Sequence, residues 1–100
     1  MVPVKDPSSD LDYSIDWSLY LQDGENITAS TFAVDPAGEA TSPLVVLASS
    51  FQTPFTTVSL GGGNARQRYA IINRISTDVE IDTGRYRVIE RSITLAVEER

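Results

Sequence analysis

Apolar and polar residues alternate along most of the chain, so that every second side chain is apolar. Residues 11–17 place Leu, Tyr, Ile and Trp at alternate positions, with Asp and Ser between them, and residues 69–75 continue the alternation with Tyr and Ile. This period of two is typical of a strand that buries one face and exposes the other. No segment keeps an apolar stripe at helical spacing for three turns, and only residues 17–21 suit a single helical turn.

Turn-forming residues divide this pattern into about seven strands. Gly and Pro clusters, which favour turns, interrupt it roughly every ten residues. The main predicted strands are 11–17, 26–34, 44–51, 56–60, 69–77 and 85–97. Short strands with regular turns predict an all-β fold, a single immunoglobulin-like β-sandwich, over residues 11–100. Residues 1–10 are rich in Pro and Ser, and we expect an extended N-terminal arm there.

Two strands depart from simple alternation. The strand that begins at Leu44 opens with five apolar residues in a row, which indicates burial on both faces or an inserted bulge. In the last strand the alternation predicts that the apolar positions exchange faces between Val88 and Ile93. We therefore expect a bulge or a change of sheet near residues 90–92.

The apolar faces of the strands predict the core and one corner of the sandwich. Trp17, Ile71 and Leu95 each lie on such a face and are expected to be buried, although Trp17 would also suit an interface. The glycines at 61–63 predict a loop that needs a positive φ. Tyr69 follows this loop at a strand entrance, as in the tyrosine corner of sandwich domains.

Composition argues against catalysis. The chain has 100 residues, which suits one domain, and it contains neither Cys nor His. Disulfides and thiolate nucleophiles are therefore excluded, and the commonest general base and transition-metal ligand is missing. Asp10, Asp12 and Asp16 are evenly spaced, but no glycine-containing turn with a closing acidic ligand follows, as a calcium loop requires. We predict no enzyme activity, no cofactor and no metal.

Charge is uneven along the chain. Eight basic and fourteen acidic residues give a net charge of −6, with −7 in residues 1–60 and +1 in residues 61–100. A net acidic domain is a poor ligand for nucleic acid or an anionic membrane, so neither is expected as a partner. The acidity either serves solubility or forms a docking face for a basic partner.

Candidate interface residues come from four parts of the sequence. Phe51 and Phe55 flank Pro54, where a strand breaks, and Tyr20 lies in the apolar segment 17–21. Arg85 and Arg87 belong to a second half that uses Arg and no Lys, and Arg pairs well with carboxylates. The expected arm adds three more candidates: Val4, Lys5 and Asp6.

The order of several short motifs resembles the fiber-tail adaptors of tailed phages. These motifs are Asp6-Pro7, residues 11–18, 24–27, 58–63, 68–69, 72–75 and 90–97. The resemblance covers nearly the whole chain. It implies a non-enzymatic virion protein, made in the host bacterial cytoplasm and present in several copies, that links tail or baseplate to fibers through protein–protein contacts. Residues 78–84 and 36–43 look longer than the family pattern, so these loops are expected to set the partner.

Two other classes fit a small acidic β-domain. A capsid cement or decoration protein would bind empty capsids without a tail. A carbohydrate-binding adhesin module would show exposed aromatic rings in a groove, and this chain has eight aromatic residues in all.

Overall fold

The protein, seen in a computed structural model that describes residues 4–6, 9–35 and 44–98, is a two-layer β-sandwich. This confirms the all-β class and the strand number. The strands are β1 (Val4–Lys5), β2 (Leu11–Asp16), β3 (Ile27–Asp35), β4 (Leu44–Gln52), β5 (Phe55–Gly62), β6 (Gln67–Asp82) and β7 (Arg85–Val97). One sheet has the order β1-β7-β6-β3 and the other β2-β5-β4. All neighbours are antiparallel except β1 and β7.

The first strand lies inside the region that we expected to be an arm. Val4 and Lys5 pair with Ala96 and Val97 of β7, and Lys5 is only 2% exposed. The Lys5 ammonium donates to the carbonyls of Asp6 and Gly62, each at 2.7 Å, and so links the two sheets. Burial lowers the pKa of Lys5, against the pull of Asp10 and Asp6. Residues 4–5 therefore belong to the sheet, which corrects this part of the arm.

The last two strands form one long hairpin without the expected bulge in β7. Pairing of β6 with β7 is continuous from Gln67 opposite Val97 to Ser76 opposite Val88, so residues 90–92 are regular. Ile89 shares the inner face with Ile93 and Leu95, and the even-numbered residues from Tyr86 to Thr94 are exposed. The register shifts instead in β6, beyond Ser76. The expected exchange of faces is wrong because Ile89 already lies on the inner face, whereas the apolar residues Tyr86 and Val88 lie on the outer face.

Strand β4 carries the expected bulge but not the expected burial. The register shifts between Val46 and Ala48, which leaves Leu47 as the extra residue. Only Leu44 of this strand is buried, and the next eight residues are exposed. The apolar run therefore reflects a bulged edge strand rather than a strand covered on both faces.

The core is divided into two apolar clusters between the sheets. The larger cluster contains Leu44, Val58, Leu60, Tyr69, Ile71, Leu95 and Val97, and the smaller one contains Ile15, Trp17, Ile27 and Ile75. Tyr13 and Phe32 pack against both clusters. Burial of Trp17, Ile71 and Leu95 is confirmed.

Tyr69 forms the predicted corner after the glycine loop. Its hydroxyl accepts a hydrogen bond of 3.0 Å from the backbone N–H of Asn64. Gly62 and Gly63 have φ values of 74° and 95°, which confirms the expected positive φ. A side chain at Gly63 would also meet Val97, with a Cβ only 2.9 Å from Val97 Cγ2.

A fully buried polar group joins the two sheets beside the smaller cluster. The indole N–H of Trp17 lies 3.1 Å from Thr56 Oγ1 in β5 and 3.0 Å from Asn73 Oδ1 in β6. The Thr56 hydroxyl donates to Asn73 Oδ1 at 2.6 Å, and the Asn73 amide donates to Ser30 Oγ and the Thr31 carbonyl. Each of these polar atoms thus has a partner, so the group avoids the cost of unpaired burial.

Replacement of Asn73 by Ala tests this group. Asn73→Ala leaves Thr56 without its acceptor and weakens the bond of the indole N–H, so we expect the free energy of unfolding to fall by about 2–3 kcal/mol. Urea unfolding followed by Trp17 fluorescence measures the change. The control is Arg74→Ala, which breaks an exposed ion pair with Glu90 and is expected to cost less than about 0.5 kcal/mol. Equal costs for the two variants would contradict the role of Asn73.

A candidate interaction surface at one end of the sandwich

Three chain segments meet at one end of the sandwich, which we call the hairpin end and define as residues 16–26, 51–55 and 77–88. The backbone N–H of Trp17 donates to the Pro54 carbonyl at 2.9 Å, and the N–H of Ile27 donates to Thr53 Oγ1 at 2.9 Å. The Asp78 N–H donates to the Asn26 carbonyl at 3.0 Å. These bonds hold the β2–β3 loop against the β4–β5 turn on one side and the β6–β7 hairpin on the other.

The hairpin extends past the last residue that pairs with β3, so none of the described strands lies beside its tip. Pairing between β3 and β6 ends with Ile27 opposite Thr77. The irregularity in β6 follows at once and releases the Asp78 N–H from the β6–β7 ladder. Asp78 then uses both carboxylate oxygens to accept from the main-chain and side-chain N–H groups of Asn26, at 2.9 and 3.0 Å. These hydrogen bonds lower the pKa of Asp78.

Glu25 fastens the loop to the hairpin from inside. Its carboxylate is buried and accepts from the Thr77 hydroxyl at 2.5 Å, the Gln22 N–H at 2.8 Å and Arg87 Nη1 at 2.7 Å. Burial raises the pKa of Glu25, but the bonds from Thr77 and Gln22 and the charge of Arg87 outweigh it, and the pKa lies below its ordinary value. The carboxylate therefore stays ionised and holds the loop in place.

Trp17, Tyr20 and Arg91 form a stacked group at the start of the loop. The Tyr20 ring lies edge-on to Trp17, with centroids 5.8 Å apart. The Arg91 guanidinium lies 5.3 Å from the Trp17 centroid and 4.7 Å from that of Tyr20, and it donates to the Asp16 carbonyl at 2.8 Å. The carbonyl of Trp17 accepts from the N–H groups of Tyr20 and Leu21, which gives the single turn expected there. Tyr20 is thus exposed yet held in one orientation.

Exposed apolar side chains concentrate around this end. The described part of the chain exposes ten large apolar side chains, and seven belong to the hairpin end. These seven are Leu19, Tyr20, Phe51, Phe55, Ile81, Tyr86 and Val88. Leu19 is the extreme case at 95% exposure. Single exposed apolar residues are common on proteins, whereas such a concentration makes this end the candidate interaction surface.

The same end carries most of the net charge. It has six carboxylates, three in the loop region and three in the hairpin, against Arg85 and Arg87, a net charge of −4. Glu25 is buried, so the carboxylates that surround the apolar side chains are the other five. An apolar surface bordered by carboxylates suits a partner with an apolar centre and a basic rim.

Five of the eight residues that the sequence nominated for an interface lie at the hairpin end. Tyr20, Phe51, Phe55 and Arg85 are exposed there, and Arg87 is half-buried because it pairs with Glu25. Val4, Lys5 and Asp6 lie at the opposite end, near the termini of β5 and β7. The Lys5 side chain is buried and bound to two carbonyls, so we withdraw it as an interface residue. The interface role of the others stays a prediction.

Sequence reasoning missed Leu19, Ile81, Tyr86 and Val88. Tyr86 and Val88 face outward on β7, opposite in parity to Ile89, Ile93 and Leu95. Ile89, Ile93 and Leu95 are all odd-numbered apolar residues, and this regularity in the sequence would have assigned Tyr86 and Val88 to the exposed face. Leu19 and Ile81 lie in irregular or bulged backbone, where alternation gives no guidance.

The described residues offer little for small-molecule chemistry. Within residues 4–6, 9–35 and 44–98, no three acidic side chains are grouped closely enough to hold a metal ion, and no helix has the length and apolar character needed to cross a membrane. A shallow depression of about 340 Å³ is lined by Thr28, Thr77, Asp78 and Tyr86. Asp78 and Thr77 already have partners within the protein, so its polar lining is largely occupied.

Fold and surface together define a small β-sandwich whose most distinctive feature is one end that combines exposed apolar side chains with carboxylates. The chain belongs to the family described as the podophage GP4 fiber-tail adaptor protein gp77, whose sequence model matches residues 5–96. It is therefore a structural adaptor protein of phage tails by family, as the resemblance implied. No curated protein matches the chain.

Substitution of Glu25 tests how the hairpin end is held. Because the pKa of Glu25 is lower in the folded than in the unfolded chain, the unfolded chain takes up a proton first as pH falls. The stability that Glu25 supplies is complete above about pH 5 and is lost as the pH falls through 4.5, its ordinary pKa, and below. We expect Glu25→Gln to lower the free energy of unfolding by about 2–3 kcal/mol at neutral pH. Below about pH 5, the free energy of unfolding of the variant should fall less steeply with decreasing pH than that of the wild type.

Urea unfolding over a series of pH values measures both effects. The matched control is Glu98→Gln, an exposed residue at the other end of the sandwich. A Glu25→Gln variant whose free energy of unfolding falls with decreasing pH as steeply as that of the wild type would contradict this account.

Proposed function

We propose that the protein links the tail or baseplate of a podophage to its fibers, and that the hairpin end is one of its two docking surfaces. The observation that carries this proposal is the concentration of exposed apolar side chains at an end whose loops are fixed by internal bonds. Leu19, Tyr20 and Phe55 are presented by backbone that is already ordered, so little conformational entropy is lost on docking. A fixed apolar surface of this kind is what an assembled structural subunit requires.

The negative charge of the hairpin end indicates the chemistry of the partner surface that would bind it. Five unburied carboxylates border the apolar side chains, so the partner is expected to present Lys or Arg at its rim and apolar residues at its centre. Such charges affect orientation and association rate more than affinity. Assembly is accordingly expected to slow as salt rises, because the Debye length is about 8 Å at physiological ionic strength.

An adaptor needs a second contact, and the opposite end is our candidate for it. Val4 and Asp6 lie there, about the length of the molecule from the hairpin tip, and the longest dimension is 47 Å. In this arrangement the sandwich acts as a rigid spacer between two partners, and several copies surround the tail. The function is non-enzymatic and requires no cofactor, nucleic acid or membrane.

Removal of two exposed apolar side chains tests the docking end. The double variant Leu19→Ser/Ile81→Ser should keep its melting temperature, because neither side chain packs in the core. Its incorporation into particles that lack the native protein should fall about tenfold or more, since interface anchors each contribute more than about 1 kcal/mol. Quantitative mass spectrometry of purified particles measures the occupancy.

The control is Arg74→Ser, an exposed substitution in the middle of β6, away from both ends of the sandwich. Wild-type occupancy of the double variant would remove the hairpin end from the assembly. Binding of the wild type to capsids that have no tail would favour a cement protein instead.

A further inference from the structure

The exposed large apolar side chains outside the hairpin end are three consecutive residues of β4. In the described part of the chain these three are Val45, Val46 and Leu47. The residue before them, Leu44, pairs with Gly62, whose carbonyl binds Lys5, so this part of β4 lies near the opposite end of the sandwich. Large exposed apolar side chains are therefore grouped in two places, one toward each end of the molecule.

A bulge and a glycine together place Leu47 on the outer face of the β2-β5-β4 sheet. Val45 lies opposite Gly61, and the extra residue at the bulge brings Leu47 to the same face. Gly61 is buried beneath it, since a Cβ at this position would lie only 2.9 Å from Leu47 Cδ1. Leu47 thus lies against the backbone of β5 while 53% of its surface faces solvent. Bulges often redirect a side chain in this way beside functional sites.

A shallow recess lies beside Leu47 on this sheet. Its volume is about 110 Å³, and its lining consists of small side chains: Ala48, Ser49, Ser50, Thr57 and Ser59. Ala48 pairs with Ser59, which belongs to the outward-facing positions of β5. The recess is too small for a typical ligand molecule and suits a single side chain of a protein partner. We call this surface, Val45, Leu47 and the recess, the Leu47 face.

Two carboxylates border the Leu47 face on the side of β2. Asp12 lies opposite Ser59 and accepts from its hydroxyl at 2.5 Å. Oδ1 of Asp10 lies 3.2 Å from the position that a Cβ of Gly61 would take, so Asp10 is on the same face. None of the three strands β2, β5 and β4 contains a basic residue. The carboxylates are therefore not balanced by a cation of their own sheet.

We propose that the Leu47 face is the second docking surface of the adaptor and that it binds a different virion protein. This partner places an apolar side chain in the recess, against Leu47, and a Lys or Arg beside Asp10 and Asp12. The proposal rests on the adaptor function and locates its second contact. Leu47 acts as the apolar anchor, and the opposite charges fix the orientation of the partner.

A second copy of the chain does not offer this combination among its described residues. Seven of its exposed large apolar side chains belong to the hairpin end, which has a net charge of −4, and the other three are residues 45–47 themselves. Two copies joined through their Leu47 faces would bring the carboxylates of Asp10 and Asp12 together. The exposed Arg66 and Arg68 lie at the start of β6, in the other sheet, and belong to neither apolar group. Charge and apolar pattern together favour a different protein.

A bulky side chain in the recess tests the apolar part of the proposal. Ala48 is exposed in a strand, where Tyr is a favoured residue, so Ala48→Tyr should keep the melting temperature of the wild type. Its occupancy in particles that lack the native protein should fall at least tenfold, because the side chain of the partner cannot enter. The matched control is Ala33→Tyr, at an exposed alanine opposite Ile72 in the other sheet, which should incorporate like the wild type.

Reversal of one charge tests the basic part of the proposal. Asp12→Lys places a cation against the Lys or Arg of the partner, and occupancy should fall about tenfold, since like charges brought together at an interface are costly. The matched control is Asp35→Lys, an exposed carboxylate at the end of β3. It changes the net charge by the same amount and should leave occupancy unchanged.

The outcomes separate this proposal from the adaptor function. Wild-type occupancy of Ala48→Tyr, or equal occupancy of Asp12→Lys and Asp35→Lys, would overturn the proposal and leave the adaptor function intact. A dimer in analytical ultracentrifugation that Ala48→Tyr dissociates would assign the Leu47 face to self-association and also overturn it. Absence of the wild-type protein from purified particles would instead refute the adaptor function itself.

Discussion

The indole N–H of Trp17, shared between Thr56 and Asn73, is the interaction on which the rest of the structure depends. Thr56 belongs to one sheet and Asn73 to the other, so the indole fixes how the sheets lie against each other. The geometry is directional, whereas apolar packing alone tolerates several alignments. The main chain of Trp17 then starts the β2–β3 loop, because its N–H binds Pro54 and its carbonyl binds Tyr20 and Leu21. One residue thus aligns the sheets and orients the loop that presents Leu19 and Tyr20.

The surface of the protein differs in chemistry from one region to the next. At the hairpin end, carboxylates surround apolar side chains, and buried Glu25 keeps loop and hairpin together. Along β4 there is no charge, and several exposed side chains are apolar. At the opposite end, Lys5 is withdrawn into the fold and ties β1 to Gly62. A structural adaptor whose surfaces differ in chemistry can bind different neighbours specifically, because a partner that fits one surface binds the other surface poorly.

Much of the fold follows from the alternation of residue types, because burial of one strand face enforces that pattern directly. The inner face of β6, the corner at Tyr69 and the bounds of β7 were all predictable in this way. Features set by distant contacts were not. Strand β1 has two residues and forms only because β7 offers a partner and Gly62 accepts the Lys5 ammonium. The bulge beyond Ser76 depends on the docking of Asn26 against Asp78, 52 positions away.

The candidate site could be predicted only where a local feature of the sequence marks it. Phe51 and Phe55 flank a proline break that is visible in the sequence, whereas the convergence of Tyr20 and Arg87 on the same end arises from tertiary contacts. The exposed strand β4 was misjudged because an apolar run looks the same in the sequence whether or not the protein core covers it.

Electron cryomicroscopy of the intact particle tests the central claim, that the hairpin end is a docking surface, most directly. The account predicts that the sandwich lies between tail and fiber with Leu19, Phe55 and Tyr86 buried against a neighbouring protein. A particle in which the chain is present and the hairpin end faces solvent would contradict it.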